Sequence, residues 1–401
     1  VNNEHNLMAN AQVLYTESVA ATVGDSGTGF VTTASIPAAS FTANKTYLII
    51  ANLISHVVST TADARSRLVH GTTPTLFDDG GLAWDANLST TQIHEMSWMY
   101  LYTQPGTTEQ IDIQITSSTT ADHVNHLSQI IAIKLSDDFV SGTDYFWGED
   151  LTNYTLTATP AAKATTASFT PNGTDTWLFV GHMIHDVVTL VDNVGFELYD
   201  SVAGVLNQGW NEGDEATNEF RGYNQYWVGV PANAARTLAV RPWNEAGSNI
   251  MLASRVLAIN LSKFAQSAFV FDASEIDPAT SPTYTNIATV APTPTATGDW
   301  VYLAFLNQDV NESITDFVTR LQVNPDGSGL VSDPAYTAGP PGVDWFDNLD
   351  ETPHSVFKVR SLTSGASRTI NWDVTQGAGT LGRIEDRGLV AFSVALAAAG
   401  S

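Results

Sequence analysis

The chain has 401 residues, room for roughly two to four domains of ordinary size, and its 43 % hydrophobic content with 10 Trp excludes a disordered chain. Against 42 Asp+Glu there are 16 Lys+Arg, and the resulting −26 repels phosphate backbones and anionic headgroups, which speaks against nucleic acid and membrane surfaces as partners. There is no Cys, so disulfides and thiolate metal sites are excluded.

Residues 1–12 are polar and read as an arm that orders only against a partner. The start, Val1-Asn2-Asn3-Glu4-His5-Asn6, has no basic segment followed by an apolar one, so no signal peptide is expected. No apolar run approaches the ~20 residues of a spanning helix, so no membrane insertion is expected.

The first strong element follows Ser40-Phe41-Thr42-Ala43-Asn44. It is an aromatic-led apolar run, Tyr47-Leu48-Ile49-Ile50-Ala51-Asn52-Leu53-Ile54. After the acidic turn Asp78-Asp79 come Met96-Ser97-Trp98-Met99-Tyr100-Leu101-Tyr102 and the alternating Ile111-Asp112-Ile113-Gln114-Ile115. Ile131-Ala132-Ile133-Lys134-Leu135-Ser136 closes the series. Period-two alternation rich in Ile, Val, Thr and aromatics predicts half-buried antiparallel strands.

The series then repeats. Ser168-Phe169-Thr170-Pro171-Asn172 precedes Trp177-Leu178-Phe179-Val180-Gly181-His182-Met183-Ile184-His185. Tyr223–Val230 and Leu238–Arg241 follow, and Leu257-Ala258-Ile259-Asn260-Leu261-Ser262 closes. A third passage runs through Trp300-Val301-Tyr302-Leu303-Ala304-Phe305, His354–Val359 and Thr369–Val374 to Val390-Ala391-Phe392-Ser393-Val394-Ala395. Two landmarks recurring in one order every ~130 residues predict tandem copies of one unit. The register predicts that Tyr47, Trp177 and Trp300 share one position at the start of one strand.

No long stretch places apolar residues at i, i+3, i+4 and i+7, and turn residues are dense, as in Asp79-Gly80-Gly81 and Gly339-Pro340-Pro341-Gly342. The expected fold is therefore all-β: three tandem antiparallel β-sandwich, jelly-roll-like domains at 13–141, 142–266 and 267–401, after the arm at 1–12. The joints are short and carry no Pro-rich or Gly/Ser-rich linker, so the units are expected to pack against one another as a stiff rod or wedge.

Candidate sites are few. His182 and His185, at i, i+3 on a strand, point to opposite faces. His123 and His126 fall in a loop-like stretch with no third metal ligand in view. The acids Asp78, Asp79, Asp347, Asp350 and Glu351 fit solvated turns better than a calcium site. Trp147, Trp210, Trp243 and Trp345 lie outside the clearest strands beside acids or amides. That is the chemistry of sugar platforms, although plugging of unit joints is the plainer role. No serine elbow, phosphate loop or zinc-protease motif occurs, so no catalytic, cofactor-binding or metal residue is assigned and the chain is read as no enzyme.

Acidic, without Cys, rich in Gly, Thr and Ala and built of serial sandwiches, the chain resembles bacteriophage virion proteins of the decoration, spike or tail type. The resemblance covers the whole chain through composition and architecture and transfers no site residue. It implies a structural part of a virion that binds itself and other virion proteins. The other expectation is a carbohydrate-binding or adhesive cell-surface protein with a host-surface glycan as partner.

Overall fold

A computed structural model describes residues 8–9, 12–19, 29–57, 63–77, 82–86, 93–117, 123–188, 193–211, 219–280, 283–310, 317–332, 351–376 and 382–397. The described residues are nearly all β, and helix among them is limited to 3-10 turns at Ala38–Ser40 and Leu261–Lys263.

The first unit holds β1 (Met8–Ala9), β2 (Val13–Ser18), β3 (Val31–Ile36), β4 (Thr46–Val57), β5 (Asp63–His70), β6 (Thr75–Leu76), β7 (Leu82–Ala86), β8 (Ile93–Thr103), β9 (Ile111–Ser117) and β10 (His123–Lys134). The second holds β11 (Tyr145–Asp150), β12 (Tyr154–Thr155), β13 (Trp177–Val187), β14 (Val194–Asp200), β15 (Gly204–Asn211), β16 (Glu219–Gly229), β17 (Leu238–Asn244) and β18 (Ile250–Asn260). The third holds β19 (Ser267–Asp272), β20 (Thr285–Val290), β21 (Gly298–Val310), β22 (Phe317–Val323), β23 (Val331–Ser332), β24 (Glu351–Leu362), β25 (Ile370–Gln376) and β26 (Gly382–Ser393).

Each unit is a two-sheet sandwich of one topology. The inner sheets run β2-β10-β4-β8, β11-β18-β13-β16 and β19-β26-β21-β24, and the outer sheets β3-β9-β5-β7, β17-β14-β15 and β20-β25-β22-β23; β16 also pairs with β7 at Phe220–Trp84, which joins the second inner sheet and the first outer sheet into one ten-stranded sheet. In the second unit the outer sheet gains its missing strand from the segment bridged to β17 at Thr165–Ala239 and Phe169–Arg236. Counted along the chain, the inner sheet orders strands first-eighth-third-sixth and the outer sheet second-seventh-fourth-fifth. That is the eight-stranded, double Greek-key arrangement of a jelly roll.

Equivalent residues coincide. Tyr47 pairs with Lys134, Trp177 with Asn260 and Trp300 with Ser393, each at the head of its unit's third strand. Two residues on, Ile49 pairs with Ala132, Phe179 with Ala258 and Tyr302 with Ala391.

The third and eighth strands are apolar on both faces because both faces are covered. In β4, Tyr47, Ile49, Ala51 and Leu53 face the sandwich with Ile111, Ile113 and Ile115. The alternate residues Leu48 and Ile50 enter a central cluster instead. That cluster also takes Leu178, Val180, Leu257 and Ile259 from the second unit and Val301, Leu303, Val390 and Phe392 from the third. The three inner sheets thus turn their backs to one another and share a fourth core. Each fully buried aliphatic or Phe side chain contributes about 1.5–3 kcal/mol.

The units therefore pack against one another, as expected, and they do so as a trefoil about a common axis; of the expected rod or wedge, the end-to-end rod is corrected. Short joints permit either arrangement; the second apolar face of each inner sheet decides between them, since end-to-end stacking would leave it in water. The joints themselves seal one end of the axis. Phe139, from the first joint, lies 5.5 Å from Phe264 of the second, which lies 4.6 Å from Phe392. Two glycines permit the close approach. A Cβ at Gly388 would stand 2.2 Å from the Phe305 ring, and one at Gly222 would stand 2.7 Å from Met96 and 2.9 Å from the Ser97 carbonyl oxygen.

Candidate functional site

Toward the other end of the axis the central cluster becomes polar. Ser355 on β24 is its hub. The Asn52 amide of β4 donates to the Ser355 carbonyl (2.9 Å) and hydroxyl (3.0 Å), and Asn52 accepts from Ser97 on β8 (2.8 Å). The Ser355 amide donates to Glu95 Oε1 at 3.1 Å, while Glu95 Oε2 pairs with His354 Nδ1. Tyr226 of β16 accepts from Asn224 at 3.1 Å within the second unit. Burial pushes the Tyr226 hydroxyl pKa up.

A second group ties the first unit to the third. The Gln129 side chain reads the backbone of Phe357 in both directions: Nε2 donates to the carbonyl (2.5 Å) and Oε1 accepts from the amide (3.3 Å). Beside it Lys358 forms an ion pair with Glu17, whose Oε2 also accepts from the Tyr15 hydroxyl at 2.6 Å. The Lys358 side chain is 1 % exposed and that of Glu17 9 %, so the pair is inside the protein.

The other joints differ in kind. Asn307 of β21 donates to Asn207 Oδ1 and to the Gln208 carbonyl of β15. Between the first and second units, buried Arg255 stacks its guanidinium 4.3 Å from the Tyr100 ring centre, and burial lowers its pKa to about 9. Register equates Asn52, His182 and Phe305, and likewise Gln129, Arg255 and Gly388. The scaffold is repeated and the polar layer is not. Within each group the partners are in contact, and these contacts tie one unit to another.

His182 and His185 are wholly buried on β13. His185 lies against Tyr223 in the second sandwich (5.9 Å between rings), and burial lowers the pKa of His182 to about 4 and of His185 to about 3. His123 and His126 are in β10, not in a loop, with a register break between Asn125 and Leu127. The apolar run continues past Leu127 and draws this stretch into the sheet. Both ring nitrogens of His123 are engaged, with the Thr116 carbonyl (3.1 Å) and Ser55 Oγ (2.9 Å).

Trp147 is corrected likewise: it is in β11, half-buried against the central core, which is the joint-filling role. Trp243 lies in β17 and Trp210 in β15. Trp345, Asp78, Asp79, Asp347 and Asp350 fall outside the described residues, as does the side chain of Glu351. Of the arm, Met8–Ala9 pairs with Leu14–Tyr15 of its own chain; residues 1–7, 10 and 11 lie outside the described residues. Among the described residues no three His, Asp or Glu side chains are grouped as metal ligands, and no helix is long and apolar enough to cross a membrane.

Sequence reasoning missed Glu17, Glu95, Gln129, His354, Ser355 and Lys358. Their signal is a polar residue inside an otherwise doubly apolar strand, as in Leu127-Ser128-Gln129-Ile130.

No family model matches the chain, and no curated protein matches it. Among solved structures, a chain in the atomic structure of Sulfolobus Turreted Icosahedral Virus is 11 % identical, with TM-score 0.21, covering 96 % of this chain and 92 % of that one. A chain of the infectious bursal disease virus Gx strain is 9 % identical, with TM-score 0.22, covering 63 % of this chain and 73 % of that one. The CBM22-1–CBM22-2 tandem domain of Paenibacillus barcinonensis Xyn10C is 10 % identical, with TM-score 0.22, covering 64 % and 94 %. Similar structures thus include virus-particle chains and a carbohydrate-binding tandem, at TM-scores too low to carry an argument.

Proposed function

We propose that this chain is a non-enzymatic structural component of a virus particle, a capsid decoration, spike or tail protein that acts by self-association and by docking on other virion proteins. The observation that carries this reading is the shared central core, which fuses three jelly rolls into one body. The jelly roll is the fold of viral capsid and lectin domains. The buried pairs Glu17–Lys358 and Glu95–His354 join units. Copies that keep a scaffold and vary its polar layer supply surface and rigidity without repeating a chemistry.

The test is localisation. Antibodies against the chain should label particles purified from its source, and the chain should co-sediment with them. Recovery only as free protein, with particle fractions empty of it, removes the reading.

A second reading, binding of a surface glycan, is favoured by one place. Trp210 and Trp243 both pair in register with Gly195, forming one row across the second outer sheet, next to the row Gln208, Glu197 and Arg241. Trp210→Ala and Trp243→Ala on a glycan array decide it; no binding, or binding indifferent to both changes, rejects it.

A further inference from the structure

The third unit's inner sheet ends in an edge built differently from its counterparts. Among the described residues β19 pairs with β26 alone. The Ser393 amide donates to the Gln266 carbonyl (2.9 Å), which fixes the phase of the ladder: Gln266, Ala268, Val270 and Asp272 bond toward β26. The N–H and C=O groups of Ser267, Phe269 and Phe271 therefore point away from the sheet. In the first unit the same phase holds, since the Lys134 amide donates to the Gln12 carbonyl (2.8 Å), and there Tyr15 pairs with Met8 of β1 on its outward side.

Tyr15 and Phe269 are equivalent. Tyr15 pairs with Ile131, which pairs with Ile50; Phe269 pairs with Val390, which pairs with Leu303. Tyr15 is 2 % exposed and Phe269 37 %. Among the described residues a strand lies on β2 at the place where none lies on β19. Natural edges are blunted by charge, Pro or bulges. Here Ser267-Ala268-Phe269-Val270-Phe271-Asp272 has no Pro, no Lys, an unbroken register and one charge at its end, whereas β11 closes with Glu149-Asp150.

The geometry points to β19 as a self-pairing edge: β19 of a second copy lies antiparallel to it about a two-fold axis at Phe269, joining two inner sheets into one. In that register Phe269 faces Phe269, Ser267 faces Phe271 and Asp272 faces Gln266. The outward groups of both strands are satisfied, and the two Asp272 carboxylates stand at opposite ends, where parallel pairing would stack them. A six-residue ladder covers less than the ~1,200 Å² of a stable interface, so the dimer is weak and concentration-dependent. This deepens the assembly reading and rests on it.

Sedimentation velocity on the full chain tests it. The unaltered protein should pass from monomer to dimer with concentration. Phe269→Pro removes an outward N–H and leaves the β26 ladder whole; it should stay monomeric with an unchanged circular dichroism spectrum. Phe269→Ala, which keeps the N–H, should still dimerise. If Phe269→Pro misfolds, Ser267→Pro tests the neighbouring outward amide. A Pro variant that dimerises like the parent overturns β19 pairing. A monomeric parent that still co-sediments with particles overturns β19 pairing and leaves the assembly reading standing; a monomer absent from particles overturns both.

Discussion

Lys358 and Glu17 come from strands 341 residues apart in sequence and neutralise each other where water does not reach. Removing one partner strands a charge, so Lys358→Met or Glu17→Leu alone should destabilise by about 3–5 kcal/mol, while the double change to apolar residues should recover most of that loss. Denaturant midpoints of the three variants check this, and a double-variant loss equal to the sum of the two single losses would show that the pair is not coupled. Protonation adds a second residue-scale effect. His182 and His185 have folded pKa values, about 4 and about 3, below the unfolded value near 6.5. Their neutral forms are favoured by folding, so their stabilisation is complete above that value and is lost as pH falls toward 4, on the order of 3 kcal/mol for His182. Asp386 runs the other way. Burial and Glu385 raise its pKa to about 6, so its contribution falls as pH rises from about 4 through 6, on the order of 1 kcal/mol after screening. Thermal melts from pH 4 to 7 should therefore rise with pH. His182→Gln should flatten the curve and Asp386→Asn should steepen it.

The elements explain what could be read in advance. The third and eighth strands of each unit were legible because they are buried on both faces, which turns alternation into continuous apolar runs such as Tyr47–Leu53 and Trp300–Leu306. The second strand of the middle unit was not, because its segment meets β17 only at isolated bridges. The polar hub was hidden for a related reason: Asn52 and Gln129 look like solvent-facing positions of a strand until a second sheet is known to cover that face. Trp147 misled because it borders the joint, where strand and loop signals mix. One element-scale consequence concerns β26. Gly388 is where the Phe305 ring of β21 lies on the sheet, so Gly388→Ala should cost about 1–3 kcal/mol through overpacking. Gly298→Ala, at the open head of β21 where an added Cβ meets nothing within 4 Å, should be close to neutral. Chemical denaturation of the pair separates close approach from loss of backbone freedom.

For the whole molecule, the shared core changes what a unit is. A jelly roll with one wet face could be cut from its neighbours and remain folded. Here the inner sheets carry Leu48, Ile50, Met99, Ile131 and Ile133 in the first unit, and Leu178, Val180, Tyr226 and Leu257 in the second, on the face away from the sandwich. Isolating a unit would expose these side chains as one contiguous apolar patch, a liability for aggregation. It would also leave Glu17, Glu95 and Gln129 without the strand they bond. The three sandwiches are therefore expected to unfold together, although each has a core of its own. Fluorescence and far-ultraviolet circular dichroism should report coincident denaturant transitions for the full chain, and residues 13–141 expressed alone should aggregate or bind a hydrophobic dye. Separate transitions, with residues 13–141 soluble and folded, would mean that the sheets meet too weakly to make one body, and would return the molecule to a string of independent sandwiches.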